Sequence, residues 1–126
     1  MFVRREVVLV PWISVHDDVD GPKLRKLYKS IGCSKFEATG ILVFLWFWGL
    51  NNADQSGRIQ FIDAEDIQRE LYGVGNGCKL DMEKVVRSLI DTGWIDIEED
   101  GTFKLHDWEV WQSQWYKNNE HRKHDV

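Results

Sequence analysis

Residues 81–105 read DMEKVVRSLIDTGWIDIEEDGTFKL, and the hydrophobic period changes partway along the stretch. Met82, Val85, Val86, Leu89 and Ile90 fall at i, i+3, i+4, i+7 and i+8, which lines one face of an amphipathic helix over 81–92. Asp81 is placed to cap the start of this helix and Gly93 to close its end. From Trp94 onward the period is two. Ile95 and Ile97 alternate with Asp96 and Glu98, and Phe103 and Leu105 alternate with Thr102 and Lys104. The stretch predicts a helix, a tight glycine turn and a two-stranded hairpin.

The loop length of the hairpin follows from which residues must share a face. A two-residue Asp100-Gly101 loop would oppose Ile97 to Lys104 and throw the apolar residues of the two strands onto opposite faces. A three-residue loop, Glu99-Asp100-Gly101 with Gly101 in the left-handed conformation of a G1 bulge, opposes Ile97 to Phe103, Asp96 to Lys104 and Ile95 to Leu105. This register is the expected one, with Ile95, Ile97, Phe103 and Leu105 on one buried face.

Working outward, the chain has 126 residues, enough for one core and one domain. Seven tryptophans in so short a chain imply that large aromatic anchors hold that core together. Cys33 and Cys78 stand apart with no CxxC pair, so reduced thiols are expected rather than a zinc site or disulfide framework. The longest apolar run, 40–50, falls well short of the roughly 20 residues a bilayer requires. No signal-peptide apolar region follows Arg4 and Arg5. These features read as a cytoplasmic protein with no membrane association. The net charge of −5 argues against coating nucleic acid by bulk electrostatics, so any such binding must be local.

Before residue 81, Val7–Val10 and Trp12–His16 read as short β segments broken by Pro11, followed by a turn over 17–22. A helix begins near Pro22 with Leu24, Leu27, Tyr28 and Ile31 on its apolar face. Ser34 and Glu37 have the spacing of a capping box and open a second helix running to about Asn51. Its apolar residues cover more than one face, which predicts the buried central helix. Arg58–Ile62 reads as a short strand. Asp63 caps a third helix with core positions Ala64, Ile67 and Leu71. The glycines of 73–78 fit neither a dinucleotide fingerprint nor a P-loop and read as a flexible connection. After the hairpin, Asp107 is placed to cap a last helix carrying Trp108, Trp111 and Trp115, and a polar basic tail fills 117–126.

The fold class expected from this order is α+β, mainly α: a winged helix-turn-helix domain over 1–116, with a C-terminal wing hairpin and an additional C-terminal helix. Four segments carry a resemblance over roughly residues 10–115: Trp12-Ile13-Ser14-Val15-His16, GILVFLWFWGLNNADQSGRI (40–59), RSLIDTGWIDI (87–97) and KLHDWEVWQ (104–112). They resemble the N-terminal domains of phage and prophage replisome organisers and of DnaD-like primosome proteins. The resemblance implies a DNA-binding module of a replication-initiation protein, with self-association or a replicative helicase or its loader as further partners. It also implies a following basic linker, and Lys117–His124 reads as the start of one.

The candidate nucleic-acid-binding residues come from charge and helical position. Lys23, Arg25, Lys26 and Lys29 on the first helix, with nearby Lys35, form a basic stretch with no acid between Gly21 and Phe36. On the helix over 81–92, Lys84, Arg87 and Ser88 are expected on the exposed face that a major groove would meet. Lys104 is the single base on a hairpin that also carries Asp96, Glu98, Glu99 and Asp100. That acidic hairpin would be repelled by phosphate. It supports an alternative, a protein-interaction or oligomerisation winged helix that does not touch DNA. His16, Asp17, Asp18 and Asp20 read as turn residues rather than metal ligands, and His106-Asp107 as a strand end and cap. No nucleophile has a base at a motif spacing, so no catalysis, cofactor, metal or small-molecule substrate is expected.

Overall fold

The computed structural model describes residues 13–74 and 79–112. Within these residues the protein is α+β and mainly helical. α1 spans Pro22–Ile31, α2 Lys35–Asn52, α3 Ala64–Val74, α4 Met82–Asp91 and α5 Trp108–Trp111. A small antiparallel sheet is formed by β1 (Arg58–Ile59), β2 (Ile95–Ile97) and β3 (Phe103–Leu105), with β3 in the middle.

Local chemistry sets the helix ends. The Ser34 hydroxyl accepts from the Glu37 amide at 3.1 Å while the Glu37 carboxylate accepts from the Ser34 amide at 2.9 Å, the reciprocal pair expected at the start of α2. Asp63 and Asp66 exchange the same pair of bonds at the start of α3, each at 2.9 Å. Asp81 caps α4 by accepting from the amides of Glu83 and Lys84. At the other end of α4, Gly93 takes a φ of +84°, and the amides of Gly93 and Trp94 donate back to the carbonyls of Ile90 and Leu89. This glycine C-cap turns the chain directly into β2.

The hairpin has the three-residue loop. Ile95 pairs with Leu105, Asp96 with Lys104 and Ile97 with Phe103. Gly101 has a φ of +88° and its amide donates to the Glu98 carbonyl, while the Glu98 amide donates to the Thr102 carbonyl. Three of the four apolar hairpin residues are buried, but Ile97 is 51% exposed. Phe103 lies on the central strand between Ile59 and Ile97, whereas Ile97 is on edge strand β2 and has a neighbour on one side only.

The core is formed by Leu24, Leu27 and Ile31 of α1, Ala38, Leu42, Leu45 and Trp46 of α2, Ile67 and Leu71 of α3, Val85, Val86 and Leu89 of α4, and the inner residues of the sheet. Tryptophans join the helices to the hairpin. Trp46 stacks on Trp111 with ring centroids 6.0 Å apart and lies 6.3 Å from Trp94. Trp108 is buried where α2, β3 and the 54–57 turn converge. Gly57 has a φ of +97°, and a Cβ there would lie 2.6 Å from Trp108 Cβ and 2.8 Å from the Leu105 carbonyl, so no other residue fits.

Several expectations are corrected. α2 is not buried all round: α1 and α3 cover one side, and Phe36, Phe44 and Phe47 on the other face solvent. β1 is two residues long, because at Phe61 the backbone turns to a φ of +60° and leaves the sheet. Residues 13–16 form no strand. The Ser14 amide donates to the side-chain carbonyl of buried Gln112 at 2.9 Å, and the Gln112 side-chain amide donates back to the Ser14 carbonyl at 3.2 Å, so one side chain takes the place of a pairing strand. Asp107 does not cap α5 with its side chain. It sits at a φ of +54° and its carbonyl accepts from Trp111. The expected strand at 7–10, residues 75–78 of the glycine-rich connection, Trp115 and the tail at 117–126 lie outside the described residues. Among the described residues no single helix is long and apolar enough to cross a membrane.

Candidate functional site

α1 lies against α4 with the two helices running in opposite directions. Lys23, near the start of α1, reaches Gly93 and Trp94 beyond the end of α4. The Ser30 hydroxyl donates to the Ser88 hydroxyl at 2.7 Å, and Gly32, just after α1, lies beside the Lys84 ammonium. This seam decides the fate of three of the candidate residues.

Ser88 is the first. Its predicted position on the groove-facing side of α4 is wrong: it is 3% exposed and its hydroxyl is taken by Ser30, so it holds two helices together and cannot reach a base. Lys23 is the second. Its ammonium sits 4.5 Å from the Trp94 ring centroid, a cation–π contact, and the side chain is half-buried. Burial pushes its pKa down, and the carboxylates of Asp107 and Asp96 pull it back up. Lys23 therefore belongs to the packing of α1 on the hairpin more than to a solvated basic face. Lys84 is the third, exposed and brought beside the C-terminal end of α1 by the same seam.

The other basic residues of α1 are disposed as expected. Arg25, Lys26 and Lys29 are exposed and form no ion pair with another described residue. Lys35, at the start of α2, is tied to Asp20 at 2.5 Å, although both side chains remain mostly in solvent. Arg87 is exposed on α4 and lies 3.5 Å from Glu83 one turn earlier, a pairing that solvent screens. The outward face of α4 thus presents Lys84 and Arg87 with Glu83 and Asp91.

In the hairpin the structure supplies a partner that charge counting along the chain misses. Arg58 of β1 reaches across the sheet, with Nη2 3.3 Å from Asp100 and Nε 2.9 Å from Glu98, the latter contact without the alignment of a hydrogen bond. Lys104 is half-buried on β3 between Arg58 and Asp96 in the strand register. Asp96 also contacts His106 Nδ1 at 2.8 Å, and His106 Nε2 lies 3.5 Å from Asp107. Of the four acids expected to repel phosphate, Glu99 alone has no such partner among the described residues. The only sequence signal for Arg58 is its place in a short β-like run, which does not show which strand it joins.

The residues weighed as metal ligands have the following contacts. His16 Nε2 contacts the Trp111 carbonyl at 3.0 Å, Asp17 and Asp18 begin a short 3-10 turn, and Asp20 holds Lys35. Burial, with Glu37 nearby, pushes the Cys33 thiol up in pKa, and its Sγ contacts the Ser34 carbonyl. Cys78 lies outside the described residues. Comparison with protein-family models, with curated proteins and with solved structures found no match.

Proposed function

We propose that this chain is a winged helix-turn-helix module that binds DNA in a phage-type replication-initiation protein, through a basic surface formed by α1 and the adjoining edge of α4. The element order α2, β1, α3, α4, β2, β3 and the strand order β1-β3-β2 support the fold reading, with β2 and β3 as the wing and α1 as an addition before it. The observation that carries the function is the set of exposed cations Arg25, Lys26 and Lys29, unpaired among the described residues, on a helix packed along α4 with Lys84 at its end. Phosphate contacts of this kind supply affinity without reading sequence. In this reading Arg87, exposed on α4, is the side chain that reads a base, since a guanidinium in the major groove bonds guanine through two hydrogen bonds. The arginine staple on Glu98 and Asp100 reduces the repulsion the wing would otherwise exert on phosphate.

The test is fluorescence anisotropy of the chain with labelled duplexes across a salt series. Changing Arg25, Lys26 and Lys29 together to Glu should weaken binding to unrelated sequences alike and flatten the salt slope by about one unit for each phosphate no longer neutralised. Arg87→Ala should instead alter which duplex is preferred. Unchanged affinity and slope in the triple variant refute the DNA reading. In that event the interaction module without DNA contact, supported by the exposed aromatic residues, becomes the better account.

A further inference from the structure

Phe36 is an aromatic ring for which the fold has no use. It stands in the first turn of α2, where the core positions begin at Ala38, and it is 91% exposed with no ring contact to another described residue. Thr39 and Gly40 follow one turn further along, so Phe36 is set apart from the aromatic pair Phe44 and Phe47. An aromatic anchor of a protein contact sits among apolar neighbours. Phe36 sits among lysines.

Three helices supply them. α1 and α2 meet at 102° across Gly32, Cys33 and Ser34, and antiparallel α4 brings its first turn to the same corner. Lys84 Nζ lies 3.8 Å from the place a Gly32 Cβ would occupy, Lys29 precedes that glycine on α1, and Lys79 precedes the Asp81 cap of α4. Lys29, Lys79 and Lys84 are exposed and form no ion pair with another described residue. The carboxylates beside them are held elsewhere: Glu37 accepts from the Ser34 amide, Asp81 from the amides of Glu83 and Lys84, Asp20 pairs with Lys35, and Glu83 faces Arg87. Arg25 and Lys26 continue the cations back along α1. At about 1.5 Å per residue, Arg25 to Gly32 covers about 10 Å, the rise of about three nucleotides of one strand.

We infer, on the DNA reading above, that this corner receives a single strand: the cations of α1 and Lys84 follow its phosphates, and the Phe36 ring stacks on an unpaired base. Within a duplex the base faces are covered by their neighbours and only the edges are open, so a projecting ring finds its match where pairing has ended. Every base has such a face, and stacking on an aromatic side chain beside a cationic track is therefore tolerant of sequence. The preferred DNA is a duplex that gives way to single strand, with the duplex on α4 and the unpaired end at Phe36.

Fluorescence anisotropy with the full chain separates the possibilities on three labelled DNAs: a blunt duplex, the same duplex with a thymidine overhang of about eight nucleotides on one strand or the other, and the same overhangs built from abasic sites. Wild type should bind one of the thymidine overhangs at least about fivefold more tightly than the blunt duplex. Phe36→Ala should lose that gain, bind the blunt duplex as wild type does, and unfold at the same temperature, because its ring is not part of the core. Phe36→Trp should keep the gain. Phe61→Ala removes an equally exposed ring beside Asp66, Arg69 and Glu70 and should change neither affinity. The abasic overhangs keep the phosphates without the bases, and on them wild type and Phe36→Ala should be equal. Blunt-duplex binding without a gain from either thymidine overhang, or with a gain that survives Phe36→Ala, overturns the inference and leaves the DNA reading of α1 standing. So does a Phe36→Ala loss that is as large on the abasic overhangs. Failure to bind any of the three DNAs overturns both.

Discussion

The hairpin and α1 carry opposite charge in the sequence and treat it in opposite ways once folded. On the hairpin three of the four acids have a partner inside the molecule: Arg58 holds Glu98 and Asp100, and Asp96 contacts His106. On α1 the structure recruits Lys23 to the face of Trp94 and leaves Arg25, Lys26 and Lys29 in solvent. A run of like charge along a chain therefore says little about the surface it makes until its neighbours in space are known. Here the correction acts in one direction, leaving the hairpin less repellent to anions than its composition suggests and leaving the unpaired cations of α1 in solvent.

The sharpest break between the two regions is in stability. Trp108→Ala, at the base of the hairpin, should cost about 3–5 kcal/mol because the indole is fully buried, whereas Arg25→Ala on the outer face of α1 should fall within about 0.5 kcal/mol. Urea titrations of the two variants measure the gap, and similar costs would mean the hairpin is not part of the core. Within α1 the same contrast should repeat at smaller scale. Lys23→Ala should lose about 0.5–1 kcal/mol of stability and leave the salt slope of DNA binding unchanged. Lys26→Ala should do the reverse, lowering the slope by about one unit at constant stability.

Arg58→Ala tests the hairpin's side of the comparison. Its ion pairs are partly exposed, so the cost should stay below about 1 kcal/mol and grow as salt is lowered. Freeing Glu98 and Asp100 should also weaken DNA binding, although Arg58 itself is not assigned to DNA. The smallest effect concerns the turn that feeds β1 into the sheet. Burial opposes ionisation of Asp54, but bonds from the Ser56 hydroxyl and the amides of Arg58, Ser56 and Gly57 outweigh it and hold its carboxyl below the usual carboxylate range. A pKa depressed by folding contributes stability that is present above the unfolded value and is lost as pH falls through the folded one. Wild type should therefore converge on Asp54→Asn in stability below about pH 4, and a constant difference across that range would show that the carboxylate does not titrate with folding.

Where residues act on near neighbours, the sequence was legible. The caps at Ser34, Asp63 and Asp81, the loop closed at Gly101 and the apolar faces of α1, α3 and α4 all follow from spacings of a few residues, and the structure places them as read. What escaped depends on elements distant in sequence. Ser88 looked exposed by position on its own helix, yet α1 covers it from nearly sixty residues away. Ile97 alternates like its neighbours and is left uncovered only because β1 joins the far side of β3. The outer face of α2 looked buried because apolar periodicity counts residues and not the layers available to cover them. Arg58 escaped for the same reason, since its role is defined by a strand pairing.

The pairing of Arg58 with Lys104 and Ile59 with Phe103 also separates the sheet in time. β2 and β3 close over a short loop of the kind that forms in about 1–10 μs, while β1 can join only after residues 60–102 have folded back through α3 and α4. During that interval the hairpin holds its acids without their arginine. Added salt, which screens this repulsion, should accelerate the early phase of refolding and leave the final docking of β1 little changed, and hydrogen exchange should release the β1 amides before those between β2 and β3.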